Sequence, residues 1–132
     1  MKKLKHQLML IIDDSPIIRE RLLNMVKKLE LFQDIRLAGS YREAEQLIQE
    51  KTPQVILLDL NLPDKNGFEI LKMLKRKNIV STVVVVSNNA DKAYREQSLL
   101  LGAYRFIDKS NEFELIEDIL REIAISRDRL NY

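Results

Sequence analysis

The sequence has no cysteine, which excludes disulfides and thiolate metal centres and fits a reducing compartment. Neither sign of charge dominates. The 22 Lys and Arg against 20 Asp and Glu leave a net +2, which argues neither for nor against a nucleic-acid partner. No stretch approaches the roughly 20 consecutive apolar residues that span a bilayer. The start, Met1-Lys2-Lys3-Leu4-Lys5-His6, has the look of the basic region of an export signal, but the apolar run behind it is five residues long and stops at Asp13-Asp14, so export is not expected. No linker, internal repeat or low-complexity segment interrupts the chain. At 132 residues it is expected to form one domain, 1–132. A chain of that length buries roughly two-thirds of its unfolded surface on folding, enough for a self-sufficient core. The 45% hydrophobic and 32% charged content are ordinary for a globular protein.

Against this background stands a regular alternation. Short apolar runs, read as buried strands, fall at about 7–12, 35–39, 54–58, 82–86 and 104–108. Helical patterns separate them. The first starts at Pro16 behind a capping Ser15 and runs to about Leu31, with Ile18, Leu22, Met25, Val26 and Leu29 on one face. The second covers Tyr41 to Lys51 and is stopped by Pro53; the third covers about 68–77. The fourth covers about 90–101 with Gly102 as a left-handed cap. The fifth starts near Asn111, turns Phe113, Ile116, Leu120 and Ile123 inward, and leaves about six polar residues behind it. Strands alternating with helices imply right-handed crossovers, a parallel sheet and helices on both faces.

The informative residues sit where the apolar runs end. Asp13 and Asp14 close the first run, Asp59 the third and Ser87 the fourth; Lys109 follows the fifth. In an open parallel sheet, ligands bind beyond the carboxyl ends of the strands. Three carboxylates, a hydroxyl and an amine are therefore expected at one sheet edge. Bare carboxylates there would repel one another, and a hard cation offsets this. Magnesium takes one or two carboxylates together with waters and phosphate oxygens. A carboxylate is already ionised at neutral pH and can attack phosphorus without a general base.

Taken in order, Asp13-Asp14-Ser15-Pro16, Leu58-Asp59-Leu60-Asn61-Leu62-Pro63, Asn66-Gly67, Ser87, Gly102-Ala103 and Lys109 resemble a response-regulator receiver domain of the stand-alone chemotaxis-regulator kind, over nearly the whole length. The resemblance implies a doubly wound (βα)5, flavodoxin-like three-layer sandwich with sheet order 2-1-3-4-5. It implies that Asp59 accepts a phosphoryl group from phosphohistidine on a histidine kinase or histidine phosphotransfer protein. Magnesium or manganese would be held directly by Asp14, Asp59 and the backbone carbonyl of Asn61, with Asp13 acting mainly through water. Ser87 and Lys109 would contact the phosphoryl oxygens, and Phe106 stands where the family places an aromatic switch. Output would reach a downstream protein target through the fourth helix, fifth strand and fifth helix, where Tyr94, Arg95, Tyr104 and Arg105 are candidate contacts. Such a domain works in the cytoplasm as a phosphorylated acceptor rather than a turnover enzyme, with no direct nucleic-acid contact and no membrane. A receiver portion of a longer transcriptional regulator fits the same residues.

The sequence departs from the family pattern at Ser110, where proline is usual, at Asn88, where a small residue is usual, and at Phe106, which lacks a hydroxyl. Asn88 is expected to narrow access to Asp59. Plainer readings make Asp13-Asp14 a helix-capping pair, Asp59 a turn former, Ser87 a strand-end serine, Lys109 a solvated lysine and Phe106 a core residue. His6 reads as plain surface, and Lys72, Lys75, Arg76 and Lys77 read as a solvated helix face. Two other functions share the layered fold. A flavodoxin-like mononucleotide binder would want a phosphate loop rich in Ser, Thr and Gly after the first strand, where Asp13-Asp14 repels phosphate. An aspartate-nucleophile phosphatase would want a carboxylate at Asn61.

Overall fold

In the computed structural model, residues 4–130 are described, with side chains at 7–126, so His6 lies outside the described side chains. Ten elements alternate: β1 (Leu4–Ile12), α1 (Pro16–Leu29), β2 (Phe32–Ala38), α2 (Tyr41–Glu50), β3 (Val55–Leu58), α3 (Phe68–Arg76), β4 (Thr82–Ser87), α4 (Lys92–Leu100), β5 (Arg105–Asp108) and α5 (Leu115–Leu130). The strands form one parallel sheet in the order β2-β1-β3-β4-β5. This is the doubly wound, flavodoxin-like arrangement that the resemblance implies, and the parallel sheet that the alternation implies. β1 and β3 lie side by side, and their connections leave in opposite directions, which opens a crevice at their carboxyl ends.

Two cores flank the sheet. One joins Met9, Ile11, Leu57 and Val84 to Leu22 and Val26 of α1 and to Ile116, Leu120 and Ile123 of α5. The other joins Leu10, Ile56, Leu58 and Val85 to Ala44 and Ile48 of α2 and to Ile70, Leu71 and Met73 of α3, with Tyr94 of α4 against it. Alternate residues of each strand thus feed opposite layers, as pleating requires. All four residues of β3 are buried, because a central parallel strand is covered on both faces.

Several boundaries differ from expectation for local reasons. α1 ends at Leu29 because Glu30 turns left-handed (φ 54°), which swings Leu31 into the core. β2 starts at Phe32, earlier than 35, because β1 reaches back to Leu4 and pairs with it. The polar Gln33 and Asp34 mask this edge strand in the sequence. α4 starts at Lys92 because the Asp91 side chain caps the N–H of Tyr94. α5 starts at Leu115 and runs on to Leu130, covering positions expected to trail it. Its approach is a turn built on Asp108, whose carboxylate accepts from the Ser110 N–H and the Asn111 side chain. Gly102 has the positive φ expected of it, 107°.

Candidate phosphoryl-acceptor site

The pairing of β1 with β3 sets the site. Ile12 is in register with Leu58, and the N–H of Asp59 donates to the Ile12 carbonyl at 2.8 Å, so Asp13 and Asp59 leave the sheet at the same level. Carboxylate oxygens of Asp13, Asp14 and Asp59 all lie within 4.8 Å of one another. Asp13 (1% exposed) and Asp59 (4%) are buried, while Asp14 faces solvent.

Each carboxylate has a distinct setting. Asp13 is fully engaged: one oxygen accepts from the Ser15 N–H at 2.9 Å and the other from Lys109 Nζ at 2.7 Å. Its own carbonyl accepts from Arg19, which fixes the turn into α1. Asp59 accepts from the Asn61 N–H at 3.2 Å, and its other oxygen lies 3.6 Å from Lys109 Nζ. Lys109 thus reaches two buried carboxylates, and at 9% side-chain exposure it is no solvated lysine. Burial pushes the Asp59 carboxyl up to about 6, with Asp13 and Asp14 adding to the push and Lys109 and the Asn61 N–H opposing it. One amine does not balance three acids. The excess negative charge, on oxygen donors only, fits a divalent cation of the magnesium class.

Ser87 is fully buried at the end of β4. Its Oγ accepts from the Asn89 N–H at 3.1 Å, which leaves the hydroxyl proton to be donated. The Ser87 carbonyl accepts from the Lys109 N–H at 2.9 Å, so these two residues are held side by side by the β4–β5 pairing. Gly67 explains the Asn66-Gly67 pair. A Cβ there would lie 2.5 Å from the Asp59 carbonyl oxygen and 2.7 Å from the Leu60 Cα, so the chain returning to α3 can press on the backbone of Asp59 and Leu60 where no side chain intervenes.

Phe106 stands apart from the carboxylates. It is buried (8% exposed) in the core beneath α4. The Arg95 guanidinium lies 5.0 Å above its ring, donates from Nε to the Ala90 carbonyl and pairs with Glu112 at 3.0 Å. Glu112 also accepts from the Asp108 N–H. Glu112 and Arg19 were not singled out from the sequence, since no residue pattern marks a side chain that bonds the backbone of Asp108 or Asp13, and the Arg95 partner of Glu112 lies 17 residues away. On the neighbouring surface Tyr104 and Arg105 both bond Glu122. The basic residues Lys72, Lys75, Arg76 and Lys77 are exposed, as a solvated face requires.

Known proteins place this geometry. The sequence model of the family "Response regulator receiver domain" matches residues 9–121. The transcriptional regulatory protein MalR of Bacillus subtilis is 30% identical over 113 residues, which cover 86% of this chain and 48% of MalR. A protein-glutamate methylesterase/protein-glutamine glutaminase of Treponema denticola is 36% identical over 107 residues, 80% of this chain and 29% of that one. The chain thus spans half or less of the length of these relatives. Among solved structures, the response regulator domain of Thermotoga maritima CheB superposes with a TM-score of 0.79 at 26% identity, covering 96% of this chain and 97% of that one. Vibrio cholerae chemotaxis protein CheY4 has the same fold, with a TM-score of 0.78 at 21% identity over 89% of this chain and 98% of that one. With its sheet order and its acidic crevice, this chain belongs to the response regulator receiver domain family of two-component signalling.

Proposed function

We propose that Asp59 is the phosphoryl acceptor and that residues 1–132 act as a single receiver unit. The observation that carries this is the convergence of Lys109 on Asp13 and Asp59, at 2.7 and 3.6 Å, beside a third carboxylate. An Asp59 oxygen attacks the phosphorus of a phosphohistidine; the new O–P bond forms as the P–N bond breaks and the imidazole leaves. Asp59 is nearly all ionised at neutral pH even with its carboxyl raised to about 6, so it needs no base. Lys109 offsets charge on the transferring oxygens, and the free proton of Ser87 donates to one of them. Asp14, Asp59 and the Asn61 carbonyl would hold magnesium or manganese directly, with Asp13 acting through water since both its oxygens are already bonded. When bound, the ion supplies neutralisation of the crowded negative charge.

The phosphodonor is a histidine kinase or histidine phosphotransfer protein, and the readout is a protein target on the face formed by α4, β5 and α5. The chain is an acceptor, not a turnover enzyme, and works in the cytoplasm. Among the described residues no helix is long and apolar enough to cross a membrane. The same site serves equally within a longer regulator of the MalR kind. A mononucleotide binder is disfavoured because the loop after β1 presents two aspartates to any phosphate.

The test is direct. With a small phosphodonor and magnesium, mass spectrometry should find one added phosphoryl group, labile to acid and base and absent from Asp59→Asn. A phosphoryl group that persists in that variant places the acceptor elsewhere.

A further inference from the structure

We propose that Asp64 is a positioning residue for the metal: it fastens the tip of the β3–α3 loop to the first turn of α2 and so holds the Asn61 carbonyl toward the ion. The inference rests on the ligand set proposed above. The first turn of a helix leaves N–H groups without partners inside the helix. In α2 the Ser40 hydroxyl takes the N–H of Glu43 at 3.1 Å. The two N–H groups before it are taken from another loop. One carboxylate oxygen of Asp64 accepts from Tyr41 at 2.8 Å and the other from Arg42 at 3.0 Å, 23 and 22 residues away in sequence. The positive end of the helix dipole favours a carboxylate there. Beside this latch, Lys65 Nζ lies 4.5 Å over the Tyr41 ring, a second tie between the same two elements.

The loop passes the position of its tip on to Asn61. It is closed by its own bonds: the Gly67 N–H donates to the Leu60 carbonyl at 2.7 Å, and Asn61 bridges antiparallel to Asn66. Its base is fixed by the fully buried Leu60 and by the Asn61 N–H on the Asp59 carboxylate. Towards the tip only Leu62 reaches the core; Pro63, Asp64 and Lys65 are exposed, so packing does little to hold them. A closed unit pinned at its base tilts as a body unless its tip is held. The ties of Asp64 and Lys65 to α2 supply that hold. Magnesium tolerates little tilt, because it demands near-octahedral ligands at about 2.1 Å.

The test is calorimetric titration of the whole chain with magnesium at high salt, where the charge of an exposed carboxylate is screened. Asp64→Ala should weaken binding roughly tenfold, as loss of a group that orients a metal ligand does. Asp64→Asn, which keeps one acceptor oxygen, should fall between that variant and the parent. Ser40→Ala is the comparison, since it removes a bond at the same helix end without touching the loop. It should lower the melting temperature and leave magnesium affinity at the parent value. In metal-free protein, hydrogen exchange at the Asn61 N–H should quicken in Asp64→Ala and stay unchanged in Ser40→Ala. A parent chain that takes up no magnesium would overturn the proposed ligand set and this inference with it. A parent that binds, with Asp64→Ala of equal affinity or Ser40→Ala weakened as much as Asp64→Ala, would overturn the role of Asp64 alone.

Discussion

Ser110 donates its hydroxyl to the side-chain oxygen of Asn88 at 3.3 Å, which ties the loop after β4 to the loop after β5. Both positions depart from the family pattern, and the structure brings the two departures together. Each residue directly follows a group proposed to hold the phosphoryl oxygens, Ser87 and Lys109. Asn88→Ala and Ser110→Ala should each speed hydrolysis of the acyl phosphate several-fold by loosening this link across the mouth. The double variant should be no faster than either single, because the two residues act through one bond. Additive effects in a hydrolysis time course would show that the bond does not couple them.

The metal prediction rests on Asp14. Exposed and held by none of the contacts that fix Asp13, it is the carboxylate freest to turn toward an ion. Magnesium or manganese should bind in the millimolar to submillimolar range. Calorimetric titration should lose the binding heat in Asp14→Ala while the melting temperature changes little. Unchanged affinity in that variant would remove Asp14 from the ligand set.

Asp59 should leave a mark on stability against pH. Its carboxyl stands at about 6 in the folded chain against 3.8 for the free side chain, so the folded state binds the proton more tightly. The stability from that proton is complete below pH 3.8 and is lost as pH rises through about 6. In metal-free protein, Asp59→Asn should therefore gain up to about 3 kcal/mol at pH 7 and much less at pH 4. Denaturant melts at the two pH values measure this. Magnesium, which favours the charged form, should shrink the difference; an equal gain at both pH values would mean that the proton is not its source.

Phe106 needs no inward swing in this structure, since its ring is already buried beneath Arg95. The Arg95–Glu112 pair, each side chain about one-third exposed, fastens that arrangement to the turn before α5. Beryllofluoride with magnesium should shift amide signals across 87–112 as well as around Asp59, as a population shift on an existing fold. Arg95→Ala should produce part of that pattern without beryllofluoride and lower stability by about 1 kcal/mol, from one partly exposed ion pair and one cation–π contact. Shifts confined to the carboxylates in the parent chain would show that this face does not report the site.

The sequence by itself determined the alternation of the layers and which residues stand together at the candidate site. Apolar runs of strand length mark what is buried on both faces, and residues that break such runs stand at strand ends, where a parallel sheet binds its ligands. Asp13, Asp14, Asp59, Ser87 and Lys109 could be read for that reason. Tertiary structure alone decided how they are used. That Asp13 is committed to Lys109 while Asp14 stays open and that Asn88 meets Ser110 depend on pairings 96 and 22 residues apart, and the bonds of Asp13 to the Ser15 N–H and of Ser87 to the Asn89 N–H depend on local turns. Glu112 likewise pairs with Arg95, 17 residues away, while it holds the N–H of nearby Asp108. Periodicity reports which side of an element is buried. It carries no record of which distant charge will share that burial, because the partner is chosen by how the layers close and not by the residues beside it.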